Sequence, residues 1–163
     1  MVKLSIAFIL LFSPIWPLGN AEALGDPYVI VNKTSNRLAL IEEGRVKEVY
    51  KVATGKSKEL TPEGEFTITV KAIDPYYRKK DIPGGDKTNP LGSRWIGFDA
   101  QNTDGRTFGI HGNNNPSAIG RFVTAGCIRM YEKDVQELYS ILKIGTKIKV
   151  VHSHKSFEDL IKS

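Results

Sequence analysis

Runs of alternating or β-branched residues, cut by turn residues every few positions, restrict this chain to a strand-built fold with little helix. Tyr28–Asn32 is a β-branched run, and residues 37–41 follow after the turn-like Lys33-Thr34-Ser35-Asn36. Glu43-Gly44 separates the runs 38–42 and 45–53, which is the spacing of a tight hairpin. Gly64–Ile73 alternates, which predicts Phe66, Ile68 and Val70 on one face and Thr67 and Thr69 on the other. Residues 95–98 and 107–110 are further short strands, separated by the turn segment 101–105. Residues 146–151 alternate like a closing strand.

One stretch reads clearly as helix. Over 132–142, Val135, Leu138, Tyr139, Ile141 and Leu142 form a single apolar stripe, and Gly145 is placed to end it. In the tail, Phe157, Leu160 and Ile161 allow a short docked helix. The irregular segment 74–93 contains Pro75, Pro83, Gly84, Gly85, Pro90 and Gly92. A loop of that length inside a compact domain is usually functional or mobile. Its Tyr76 and Tyr77 either line a groove or simply pack.

The chain's 163 residues suffice for one domain with a real core. Its first residues do not resemble that core. Lys3 gives a positive start, no charge follows from Leu4 to Ala21, and Pro14, Pro17 and Gly19 interrupt the apolar run. Ala21-Glu22-Ala23 then fits a small-x-small cleavage site, so 1–23 is read as a signal peptide and 24–163 as the mature domain. The alternative is a retained anchor, for which the run is at the lower limit of length; the mature form is expected to have no transmembrane segment. The net charge of +5 suits attraction to anionic wall polymers, although ordinary surface lysine explains it equally well. No cluster of Lys and Arg interleaved with aromatics is present, which argues against nucleic acid as a partner.

Cys127 is the chain's one cysteine. In an exported protein it has no internal disulfide partner, so it is either buried and inert or kept for its reactivity. The segment from His111 to Met130, HGNNNPSAIGRFVTAGCIRM, bears on that choice. A thiol attacks as thiolate, and a neighbouring imidazole is able to take its proton and pass it to a leaving amine. His111 ends a strand and Cys127 follows a glycine just before the helix. A connection of that length suits a return beside the starting strand. Gly126 permits close backbone approach, and the amides of Gly126 and Cys127 are placed to face a developing oxyanion. Arg129, two residues on, shares a face with Cys127 in an extended segment. If His111 lowers the thiol pKa, alkylation should begin well below the free-thiol value of about 8.5. A structural cysteine remains the other reading of these residues.

The ordered set His111-Gly112, a short spacer, then Thr124-Ala125-Gly126-Cys127-Ile128-Arg129-Met130 resembles the signature of the L,D-transpeptidase (YkuD-type) catalytic domain. Thr61-Pro62-Glu63-Gly64-Glu65-Phe66 and Asn89-Pro90-Leu91-Gly92 extend the likeness over about 28–151. The resemblance implies a mainly β, sandwich-like domain with one main helix after the cysteine. It implies a cell-wall enzyme that cleaves peptidoglycan stem peptides between the third residue and D-Ala, through a thioester on Cys127. Transfer to another stem's side-chain amine would give a 3→3 crosslink, and L,D-carboxypeptidase hydrolysis is the accompanying possibility. Carried over by position, Cys127 is the nucleophile and His111 the base. Gly112 lends its carbonyl to orient the ring, and Thr124 and Arg129 support the oxyanion and carboxylate side. Many members have His where this chain has Ala125, so that accessory donor is missing. The expected protein is a secreted, wall-associated monomer without cofactor or metal.

Other readings have weaker support. His152 and His154 form a His-x-His pair with no third ligand nearby in sequence. Asn113-Asn114-Asn115 reads as a polar turn before Pro116. Sortases, also His–Cys–Arg transpeptidases, space these residues farther apart. A non-catalytic wall-binding protein of the same fold would tolerate loss of Cys127, and a thiol redox role lacks a resolving cysteine.

Overall fold

The computed structural model describes residues 25–163, and the expected signal peptide lies outside the described residues. Along them run β1 (Tyr28–Asn32), β2 (Arg37–Glu42), β3 (Arg45–Gly55), β4 (Gly64–Ile73), β5 (Arg94–Phe98), β6 (Phe108–His111), β7 (Phe122–Thr124) and β8 (Ile128–Met130). The helix α1 (Glu132–Ile141), the strand β9 (Lys147–Val151) and a short α2 (Phe157–Ile161) complete the chain. Glu43 and Gly44 both take positive φ, 51° and 68°, which matches the right-handed twist of the β2–β3 hairpin.

Neighbouring strands follow the order β2-β1-β9-β4-β5-β6-β8-β3-β7, and β2 also pairs with β3, so the sheet rolls over and closes on itself. The long strands β3 and β4 serve both halves of this sandwich-like body. Their first parts pair with β2 and β9, and their later parts with β8 and β5. Between the halves Val29, Leu38, Leu40, Ile96, Phe98, Ile110 and Ile128 are buried, and Val135, Leu138 and Leu142 of the α1 segment close that core. Each such side chain contributes about 1.5–3 kcal/mol relative to exposure. The tail helix α2 places Leu160 against Ile30 and Ile41 on the outer side of β1 and β2, and its N-terminus is capped by Ser156.

One sequence expectation fails at β4. Ile68 pairs with Phe98, but the next pairing is Val70 with Gly97, so Thr69 is an extra residue in a β-bulge. Register partners share a face, and Phe98 and Gly97 point to opposite faces. Val70 therefore leaves the core face that Ile68 occupies and points into the cleft described below, together with Ala72.

Candidate active site

Beyond that bulge, one face of the sheet gathers residues from four strands. Ala72 is register partner to Trp95, Trp95 to His111, and His111 to Arg129 across the parallel β6–β8 pair. Cys127 lies two residues before Arg129 and lines the same cleft as Val70, Ala72 and Trp95. The cleft holds about 400 Å³. Its outer wall is the 74–93 segment, which contributes Tyr76, Tyr77 and Leu91, while Arg78, Lys79 and Arg106 give it a basic rim. Both tyrosines thus line the groove.

That wall is internally tied. Asn89 is buried at its centre, its side-chain amide donating to the carbonyls of Pro75 (2.8 Å) and Pro83 (3.2 Å) while its Oδ1 accepts from the Leu91 amide (2.9 Å). Beneath the wall, Gly97 and Gly109 leave room for the Trp95 indole to lie along the sheet. A Cβ at Gly109 would come within 2.6 Å of that ring. The indole N–H donates to the Gly105 carbonyl (2.9 Å).

The turn that presents Cys127 is held by two threonines. The Thr124 hydroxyl accepts from the Gly126 amide (3.1 Å) and donates to the Cys127 carbonyl (2.6 Å). Thr61, fully buried, accepts from the Gly55 amide (2.9 Å) and donates to the Gly126 carbonyl (3.0 Å). Gly126 has φ 138° and packs directly on the Leu60 carbonyl, so a side chain there is excluded by both conformation and space. Because the Gly126 amide is engaged by Thr124, the expectation that it faces an oxyanion is corrected. The Cys127 amide is the remaining candidate. Ala125 is exposed on the outside of this turn.

His111 is buried beneath the cleft, stacked on Trp95 with ring centroids 5.6 Å apart. Its Nδ1 lies 2.7 Å from the Gly112 carbonyl. A carbonyl only accepts, so Nδ1 carries the proton and Nε2 is the unprotonated nitrogen of the neutral ring. Burial pushes the ring's pKa down to about 4, and the Arg129 charge adds to this, while the Gly112 and Leu91 carbonyls oppose it. The Cys127 thiol is pushed up by burial, against the Gly109 amide and the charges of Lys79 and Arg129. It rests against the Thr107 carbonyl at 3.4 Å. Arg129 is half-buried, and its Nε makes no hydrogen bond among the described residues.

At neutral pH the resting pair is therefore a neutral thiol and a neutral imidazole, the reverse of the low thiol pKa that the sequence suggests. Iodoacetamide labelling of Cys127 should stay slow through neutrality and rise only above the free-thiol value of about 8.5. A fully reactive plateau below about pH 7 would instead indicate a thiolate–imidazolium pair.

Several residues that organise this region carry no sequence signal of their own. Glu132, the first residue of α1, reads as an ordinary helix-start acid, yet its carboxylate accepts from the amides of Asn113 (2.8 Å) and Ser93 (3.1 Å). Asn113, read as part of a polar turn, is buried and donates to the Met130 carbonyl. Thr61 and Asn89 stand in segments noted for their resemblance, without a role attached. His152 and His154 stand outside the cleft, and His152 Nδ1 pairs with the Thr34 hydroxyl at 3.1 Å.

Residues 26–150 match the model of the L,D-transpeptidase catalytic domain (YkuD). YqjB of Bacillus subtilis (strain 168), which carries an L,D-transpeptidase name, is 54% identical over 154 residues, covering 94% of this chain and 88% of its own. Among solved structures, the Ldtfm–avibactam carbamoyl enzyme shares the fold with a TM-score of 0.62 and 23% identity over 80% of this chain, which spans 50% of that longer one. The catalytic domain of the Enterococcus faecium L,D-transpeptidase, solved acylated by ertapenem, aligns with a TM-score of 0.58 and 23% identity, over 77% of this chain and 97% of that domain.

Proposed function

The chain belongs to the L,D-transpeptidase (YkuD) catalytic domain family, and from that membership we propose that it crosslinks peptidoglycan stem peptides through a thioester on Cys127. The observation that carries this reading is the common face. Cys127 opens into a cleft of peptide size, and His111, its Nδ1 proton fixed on Gly112, keeps Nε2 as a base on the same face.

In the proposed cycle His111 Nε2 takes the thiol proton as Sγ attacks the carbonyl carbon of the third stem residue. The Sγ–C bond forms and negative charge moves to the carbonyl oxygen, where the Cys127 amide is the proposed donor. Collapse breaks the C–N bond to D-Ala, and the imidazolium passes its proton to the departing amine. The side-chain amine of a second stem then attacks the thioester, its proton goes to Nε2, and the Sγ–C bond breaks as the new amide forms. His111 finally returns the proton to sulfur. A base that rests neutral with its pKa near 4 needs no prior deprotonation at neutral pH. The cost is a weak base, which the Gly112 carbonyl offsets by favouring the imidazolium.

Thr124 and Gly126 set the turn that aims the thiol. Arg129 places positive charge beside both partners, favouring thiolate and any stem carboxylate. The basic rim suits anionic stems. The protein is proposed to be exported by residues 1–23 and to act at the wall as a monomer. Among the described residues, no helix is long and apolar enough to cross a membrane.

The test is incubation with defined disaccharide–tetrapeptide fragments followed by mass spectrometry of the products. Release of D-Ala with a 3→3 dimer is expected. Tripeptide without dimer would reassign the protein as an L,D-carboxypeptidase, and unchanged fragments would remove the reading. Ertapenem should likewise leave one covalent adduct on Cys127.

A further inference from the structure

We propose that Glu132 is a positioning residue for His111, acting through the single peptide group that joins Gly112 to Asn113. Both ends of that group are engaged. Its carbonyl, on Gly112, accepts the His111 Nδ1 proton at 2.7 Å, and its N–H, on Asn113, donates to Glu132 Oε1 at 2.8 Å. The carboxylate, the peptide and the imidazole thus form one hydrogen-bonded chain, with the negative charge at the end remote from the thiol.

A charged acceptor on the N–H end polarises the peptide and makes its carbonyl a stronger acceptor, the cooperative effect expected of hydrogen bonds in series. As Nε2 takes a proton, positive charge spreads to Nδ1, and the strengthened carbonyl stabilises it. The arrangement resembles the carboxylate-to-imidazole contact of a Ser-His-Asp triad, with a peptide group inserted between acid and base. This inference rests on the reading of His111 as the base. The other groups around the ring do not supply such a negative end. Trp95 stacks on it, Arg129 is cationic, Cys127 is neutral at rest, and Leu91 and Gly112 offer carbonyls.

The space for the carboxylate is created by glycines. A Cβ on Gly112 or on Gly92 would collide with Glu132 Oε1, so both positions are open where the acid enters. Glu132 also accepts from the Ser93 amide at 3.1 Å, tying the end of the cleft wall to the same point. Its helix brings a second link, Gln136 Nε2 donating to the Ser93 hydroxyl at 3.0 Å. Glu132 therefore fixes the base and the cleft wall together.

The test compares wild type with Glu132→Gln and Glu132→Asp by two readouts. The first is the proton NMR resonance of His111 Nδ1–H in the substrate-free protein. It should move upfield in Glu132→Gln, as the hydrogen bond to Gly112 weakens, and be partly restored in Glu132→Asp, which keeps the charge. The second is transfer kinetics, in which kcat should fall about tenfold with KM within about twofold. Should the glutamine variant fail to fold, Glu132→Ala, which also removes the charge, is read in its place. An unmoved Nδ1–H resonance in the folded charge-removing variant overturns the proposal. So does a loss seen in KM alone, which would assign Glu132 to the cleft wall only. The resonance is read without substrate, so an inactive wild type would defeat the transpeptidase reading and leave the relay's test intact.

Discussion

Replacing Cys127 by Ala should abolish both transfer and hydrolysis while leaving the fold in place. Cys127 is a partly buried residue that lines the cleft and lies outside the two hydrophobic clusters, so loss of its sulfur opens no core cavity. Its neighbour Thr107 lines the cleft, so water is able to take the thiol's place against the Thr107 carbonyl. The turn itself is held by Thr124 and Thr61 through backbone atoms that an alanine retains. Stability should therefore change by less than about 1 kcal/mol, the ordinary range for a substitution that breaks no core contact. No other described group on the cleft face offers a comparable nucleophile: His111 is buried beneath, and Lys79 and Arg106 are cations on the rim. Turnover by the alanine variant at a tenth of wild type or more would end the thioester account.

His111→Gln should lower kcat by at least about a hundredfold, the lower range for removal of a general base. Glutamine keeps a polar group of similar length, but at neutral pH it cannot take the thiol proton. The same variant has a second expected signature in stability. In the wild type the folded-state pKa of His111 is depressed to about 4 from an ordinary 6.5. The unfolded chain therefore binds more protons between those values, and stability is lost as pH falls through that window. The loss is on the order of 3 kcal/mol by linkage. Urea unfolding across the window should show a shallower acid dependence in His111→Gln. A variant that keeps the wild-type rate would require the base to lie elsewhere. A variant with the wild-type acid dependence would show that His111 is not the buried titrating group.

The strand-built body was legible because its longer elements carry their own periodicity: β1 through β4, β9 and the α1 stripe all fall where alternation or helical spacing places them. Other features were not legible, for reasons that are local to each. The strands β7 and β8 have three residues apiece, too few to show alternation, so their pairing with β3 and β6 rests on tertiary contact. The bulge at Thr69 is a single added residue that reverses the face of Val70 without altering the composition of the run. The 74–93 segment reads as an irregular loop because it is rich in Pro and Gly, yet Asn89 ties it from inside.

At the site, His111, Cys127, Gly126 and Arg129 were singled out from the residues themselves, and Gly112 and Thr124 through the family resemblance. The direction of the thiol's pKa was not, since it depends on how deeply the cleft encloses the sulfur. Nor was the engagement of the Gly126 amide by Thr124, which follows from the conformation of one turn. Glu132 was invisible for a further reason. Its meaning comes from two glycines, at 92 and 112, that are remote from it in sequence and adjacent in space.

Acyl transfer through Cys127 can be caught by intact-protein mass spectrometry after mixing with a tetrapeptide-stem donor whose side-chain amine is acetylated, so that no acceptor amine is present. Wild type should gain one adduct of the donor's mass less D-Ala, sensitive to hydroxylamine as a thioester is, and Cys127→Ala should gain none. An adduct that persists in Cys127→Ala, or D-Ala released by wild type with no adduct trapped at any quench time, would rule out a thioester on Cys127.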